Sequence, residues 1–262
     1  MGERVGPHLE VHHQRAGRCL TGRARSGCVD AFDVRSLDNR VFAFGEQDGK
    51  RRWVYQRAAA SLIVRSPAGV TLSGDTAFAG FSGGKLVAIA LSSGNLLWEA
   101  TVALPRGATE LERVTDVVGE PAVQGREVCA AAYQGRIACY EAASGRQIWS
   151  RELSPLTGLS LDARYAFVSD DRGTVHALDR TNGRSIWKQD RLAYRQLSLP
   201  ASNGAAVVLG DLEGYVHFLS RESGAFVARY ATGGGAVRVP PVELRSGVLV
   251  QTRDGGLYAL AL

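Results

Sequence analysis

Lysine is scarce in this chain. Three of its 31 basic residues are lysine and the rest are arginine, a bias that fits GC-rich coding better than selection for phosphate binding. The formal charge of +5 is also unevenly placed. Residues 1–28 hold five Arg against two Glu, while the remainder carries 26 basic against 24 acidic residues. A nearly neutral body excludes a nucleic-acid footprint spread over the fold. No run of 18 apolar residues occurs, so no segment is long enough to cross a bilayer as a helix. Residues 1–28 also lack the apolar stretch that a secretory signal requires. Four cysteines in 262 residues are too few for a disulfide framework. Catalytic signatures are missing as well: there is no GxSxG, no glycine-rich phosphate loop, and no His beside a fitting nucleophile. His12, His13 and Cys19 fit no zinc spacing, and the reading is of no metal, no cofactor and no enzyme.

What is present is a repeat. Residues 120–153, EPAVQGREVCAAAYQGRIACYEAASGRQIWSREL, read as apolar strand, turn, apolar strand, glycine turn and a further strand marked by Trp149. Gly173, Gly183 and Trp187 follow Gly135, Gly145 and Trp149 by 38 residues without a gap. Upstream copies carry Gly84, Gly94 and Trp98, and then Asn39, Gly49 and Trp53. Downstream, one copy has Gly214 and Gly224 but Ala228 at the Trp position, and the last, VQTRDGGLYAL, stops at Leu262. Six copies spaced 38 to 51 residues apart, each of three or four short strands, predict an all-β propeller with one blade per repeat. The repeats lie near 33–56, 70–102, 120–153, 158–191, 197–231 and 239–262. Residues 1–28 match none of them and read as a mostly disordered or non-native segment, with the propeller over 29–262.

Inside the repeats, most candidates have a structural explanation. Trp53, Trp98, Trp149 and Trp187 recur at one place after a turn glycine, which points to wedges between neighbouring blades. Small residues at Ala43, Ala88, Cys139, Ala177 and Ala259 suggest close sheet-to-sheet approach, with Phe218 the exception. Cys129 and Cys139 fall on adjacent strands in a register that sets them diagonally. Two buried thiols are therefore favoured over a disulfide. Asp170, Asp171 and Asp211 precede turns, where Asx capping explains them more simply than calcium or acid–base chemistry. The connections differ between copies and are where function should sit. Loop 57–69 sets Leu62, Ile63 and Val64 beside Arg65; loop 104–121 carries Glu110, Glu112, Arg113 and Asp116; loop 191–200 carries Tyr194 and Arg195. Apolar residues flanked by arginine suit a protein-binding hot spot.

The repeat, with its "LYAL"-like strand, turn and Trp, resembles the pyrroloquinoline-quinone-type propeller repeat. More narrowly, SLIVR (61–65), ELERVTDV (110–117), the Trp-less DLEGYVHFLSRESGAFVAR (211–229) and the terminal VQTRDGGLYAL resemble the BamB family of outer-membrane assembly factors. The resemblance implies an eight-bladed, non-enzymatic lipoprotein scaffold at the periplasmic face of the outer membrane. Such a scaffold binds the POTRA domains of BamA and assists unfolded outer-membrane β-barrel clients. The family's S-L-x-L-R loop maps onto Ser61, Leu62, Ile63, Val64 and Arg65, with Val64 the departure, and an acidic partner contact maps onto Asp170. Arg113 and Asp116 join these as candidates. The family's lipid anchor, the lipobox before it and two further blades find no match, so an N-terminally truncated chain of six units is expected. Two other classes stay open: a general interaction propeller, and a quinoprotein dehydrogenase relative, which would need a calcium cage and typically a vicinal Cys pair that this sequence lacks.

Overall fold

The computed structural model describes residues 14–15, 31–36, 39–58, 69–109 and 114–261. Among these residues every regular element is a strand, and within each sheet strands adjacent in sequence pair antiparallel. The first sheet runs β1 (Gln14–Arg15), β2 (Ala31–Ser36), β3 (Arg40–Gly45) and β4 (Arg51–Gln56). The second runs β5 (Val70–Ser73), β6 (Thr76–Phe81), β7 (Lys85–Ala90) and β8 (Leu96–Thr101). The third is β9 (Val117–Gln124), β10 (Glu127–Ala132), β11 (Arg136–Glu141) and β12 (Gln147–Glu152). The fourth is β13 (Pro155–Leu161), β14 (Tyr165–Asp170), β15 (Val175–Asp179) and β16 (Ser185–Gln189). The fifth is β17 (Ala201–Ser202), β18 (Ala206–Gly210), β19 (Tyr215–Ser220) and β20 (Phe226–Ala231). The sixth has three strands, β21 (Val242–Leu244), β22 (Gly247–Gln251) and β23 (Leu257–Leu260). The chain divides between Gln147 and Ile148 into two compact units.

Among the described residues there are six sheets, and the first of them draws a strand from upstream of residue 29. The N-terminal segment, expected to stand outside the repeats, contributes β1, whose Gln14 and Arg15 pair with Asp33 and Phe32. The strand that the first repeat lacked in sequence is thus supplied from further upstream. Two residues are too few to carry a period-two pattern, so nothing in the sequence marks them.

Strand composition follows position within each sheet. The second strands TAFAGF, EVCAAA, YAFVSD and AVVLG are buried along almost their whole length, and for TAFAGF and AVVLG a neighbouring sheet covers each face. They therefore read as continuous apolar runs. The outermost strands RRWVYQ and QIWSRE instead expose most positions and bury the Trp. Contact between faces forms the core. Val41, Ala43 and Trp53 pack on Val70, Phe81 and Ile89 of the second sheet, and Phe78, Leu86 and Ala88 pack on Val128, Ala138 and Tyr140 of the third. In the second unit, Phe167, Ala177 and Trp187 meet Val207, Leu209 and Leu219, while Val208, Val216 and Phe218 meet Val237, Val248 and Val250.

The small residues on the third strands have a more local cause than the one expected. Ala43 lies opposite Trp53, Ala88 opposite Trp98, and Ala177 opposite Trp187. Directly paired residues share a face, so a small partner leaves room for the indole. The fifth sheet reverses the pair: Phe218 lies opposite Ala228.

The cysteine expectation is corrected. Cys129 pairs directly with Cys139, their Cα atoms 4.0 Å apart, and the two form a disulfide between fully buried side chains. Turn length is the reason. Three residues, Tyr133 to Gly135, join β10 to β11, with Gln134 at φ 50°, and this odd-numbered connection brings residue 129 level with 139.

Candidate functional site

Trp53, Trp98, Trp149 and Trp187 each join one sheet to the next. Their indole N–H groups donate to Leu91 O at 2.7 Å, Ala142 O at 2.9 Å, Arg180 O at 2.6 Å and Arg221 O at 2.9 Å. Each ring also covers a turn glycine of the next repeat. Gly224, for example, has φ +70°, and a Cβ there would lie 2.4 Å from the Trp187 ring. Glycine is needed at that turn for its left-handed backbone and for the close approach together. The four tryptophans thus have their indole N–H groups and ring faces engaged within the fold.

The remaining sequence candidates divide into those outside and those inside the described residues. Leu62, Val64 and Arg65, with Ser61 and Ile63, lie outside them, as does Arg113. Asp116 is 5% exposed. Its carboxylate accepts from Gly83 N–H at 3.1 Å and its carbonyl from Tyr133 N–H at 2.9 Å, which ties the residue just before β9 to the turns of the second and third sheets; residues 117–121 of the expected loop are strand. Asp170 accepts from Arg172 N–H at 3.0 Å and Thr174 N–H at 2.8 Å, an Asx-type cap on its own turn. Its other oxygen lies 2.9 Å from His176 Nε2. Burial pushes the Asp170 carboxyl up, but the His176 hydrogen bond and those from the turn outweigh it and hold the group below the ordinary Asp range.

The fifth sheet contains a fuller version of the same arrangement, which the sequence reading missed. Asp211 caps its turn through Glu213 N–H and Tyr215 N–H, both at 2.9 Å, and meets His217 Nε2 at 2.7 Å. Arg195, from the loop after the fourth sheet, donates to Asp211 at 2.5 Å and to Glu213 at 2.8 Å, and stacks over Tyr215. Asp211 is entirely buried. Burial again opposes ionisation, and hydrogen bonds from His217, Tyr215 N–H and Arg195 together keep its pKa lowered. A shared spacing could have flagged both sites: Asp170 and His176, like Asp211 and His217, stand six residues apart across the turn.

A second ionic group joins the fourth and fifth sheets. Arg221 donates to Asp162 at 2.6 Å and to Glu222 at 2.5 Å, and Tyr165 O–H donates to Glu222 at 2.7 Å. These contacts are fully used internally. Among the described residues no three or more His, Cys, Asp or Glu side chains gather as metal ligands. Hydroxyl–carboxylate contacts do occur, as at Ser144 Oγ–Glu141 Oε2 and Thr181 Oγ1–Asp179 Oδ1, both at 2.6 Å, and they lie in exposed turns.

Comparison with known proteins finds relatives of this chain. A family model described as outer membrane protein assembly factor BamB matches residues 29–189. The assembly factor BamB of Bordetella pertussis is 48% identical over 225 residues, which is 86% of this chain and 58% of that protein. The BamB of Burkholderia pseudomallei is 43% identical over 226 residues, covering 86% of this chain and 59% of the relative. The chain thus spans less than two thirds of the length of these relatives. Among solved structures, BamB from Moraxella catarrhalis superposes with a TM-score of 0.82 at 27% identity, over 89% of this chain and 70% of the other. A europium-containing methanol dehydrogenase superposes with a TM-score of 0.60 at 14% identity, over 87% of this chain and 56% of the other, a likeness of fold alone. The fold is a β-propeller of PQQ-type repeats.

Proposed function

This chain belongs to the BamB family of outer membrane protein assembly factors, and from that premise we propose that it is a non-enzymatic scaffold in outer-membrane β-barrel assembly. In this reading it acts at the periplasmic face of the outer membrane, binds the POTRA domains of BamA and assists unfolded β-barrel clients. The observation that carries the proposal is the match over 86% of the chain to relatives named as assembly factors, in a fold whose described polar clusters are spent on internal contacts. The buried Cys129–Cys139 disulfide supports an oxidising compartment.

The proposed anchor is loop 57–69. Leu62 and Val64 supply the apolar contact, and Arg65 fixes orientation against an acidic partner surface. Arg113 contributes from the second loop. Asp116 and Asp170 act chiefly as positioning residues, because their carboxylates already hold backbone N–H groups. The test is capture of soluble BamA POTRA domains by the full chain. Leu62→Ala and Arg65→Glu should each abolish capture with circular dichroism unchanged, while Asp170→Asn should weaken it only as far as it loosens its turn. Undiminished capture by both loop variants would refute the anchor.

A further inference from the structure

Beside β19 and β20 lies a cleft of about 440 Å³, lined by Arg191, Leu192, Arg195, His217, Phe226 and Arg229 among others. Its lining carries charge that the fold does not use. Arg195 is engaged by Asp211 and Glu213. Arg191 and Arg229 have no carboxylate partner among the described residues, and their guanidinium groups contact the faces of Phe226 and Tyr215 instead. With three guanidiniums against two carboxylates, one net positive charge remains at the cleft.

His217 supplies a second, independent sign of a ligand. It is 1% exposed and lines the cleft, and its Nδ1 has no hydrogen-bond partner. An orphaned buried polar atom is costly unless something completes it. Its Nε2 faces the Asp211 carboxylate, which fixes the hydrogen there. In the neutral ring, Nδ1 is therefore left as an acceptor that needs an N–H.

We propose that this cleft binds an N-acylated apolar amino acid with a free carboxylate, the chemistry found at the C-terminus of a polypeptide. The carboxylate is held by Arg191 and Arg229, the amide N–H donates to His217 Nδ1, and the apolar side chain lies on Leu192, Phe226 and Val227. A single negative charge balances the single spare positive one, and the half-apolar lining matches a ligand with an apolar body.

Nuclear magnetic resonance titration of the full chain with N-acetylphenylalanine tests this without any partner protein, so its outcome is separate from that of POTRA capture. Saturable binding should shift the His217 ring and the Arg191 and Arg229 side-chain signals. N-acetylphenylalanine amide, which lacks the charge, should bind about tenfold more weakly or worse, as should acetate and inorganic phosphate. Arg191→Gln and Arg229→Gln, both at exposed positions, should each weaken binding and together abolish it. Absence of binding by the folded chain would overturn the proposal. Equal affinity for the amide or for phosphate, or undiminished binding by the double variant, would overturn it too. If the double variant fails to fold, the acid-against-amide comparison on the unaltered chain still decides.

Discussion

The fourth and fifth sheets are built on one plan and solve it differently. In the fourth, Trp187 stands opposite Ala177 and reaches the next repeat; in the fifth, Ala228 stands opposite Phe218, and the large side chain has moved from the outer strand to the inner one. The polar side changes in step. Asp170 and His176 form a pair whose side chains are 14% and 12% exposed, whereas Asp211 and His217 are sealed at 0% and 1%. A third partner makes the sealing possible. Arg195 reaches Asp211, while at the corresponding place before the fourth sheet stands Ser154, whose carbonyl accepts from Asp171 N–H as that of Arg195 accepts from Leu212 N–H. A repeat can therefore lose its defining tryptophan and keep its fold, provided that apolar volume and buried charge are rearranged together.

Truncating the two large side chains tests this most strongly. Trp187→Ala and Phe218→Ala should each cost about 3–5 kcal/mol, since each empties the core between two sheets. Trp187→Ala belongs at the upper end because it also strips Arg221 O of its donor. Urea unfolding of the full chain checks both. A cost below about 1 kcal/mol for Phe218→Ala would show that Phe218 does not take over the tryptophan's part.

The ionic clusters come next. Asp211→Asn should destabilise by about 3 kcal/mol, because Arg195 loses a fully buried counter-charge and His217 loses the carboxylate that its Nε2 faces. Asp170→Asn should cost about 1 kcal/mol, with one neutral turn cap replacing a charged one near solvent. Equal losses at the two sites would remove the distinction drawn between the sheets. Outside both sheets, replacing Cys129 and Cys139 together by alanine should cost about 2–3 kcal/mol, the amount a closed loop of this size contributes. The same loss should appear on adding a reductant that reaches the bond.

Period and punctuation made most of this fold legible in the sequence. The recurring glycines and tryptophans located six sheets, because each marks a backbone or packing need that few other residues meet. Registers were harder. The Cys129–Cys139 pair depends on whether a turn holds two or three residues, and Tyr133-Gln134-Gly135 carries no signal strong enough to decide it. Strand β1 is too short to show a period at all. At the candidate sites, Asp170 and Asp211 were read correctly as turn caps, but the Arg195–Asp211–His217 cluster draws on a loop, a turn and a strand that only folding brings together. The proposed anchor residues Leu62, Val64 and Arg65 rest on a motif alone, and they fall outside the described residues.

The finest difference between the two sheets is in acid. Both Asp170 and Asp211 have folded pKa values below their ordinary ones, so each contributes stability that is present above the unfolded value near pH 4 and is lost as pH falls through the folded value. From pH 7 down to 5, neither group should change the urea midpoint. Below about pH 4 the unaltered chain should lose stability, and the gap between it and Asp211→Asn should narrow as the unaltered Asp211 itself takes up a proton. The corresponding gap for Asp170→Asn should narrow too, from a smaller start. Midpoints measured from pH 7 to pH 3 on the three proteins read this directly. If the Asp211→Asn gap stayed constant to pH 3, the loss would come from the altered shape of the site rather than from the missing charge, and Arg195 would then matter to the fifth sheet for its packing over Tyr215 instead.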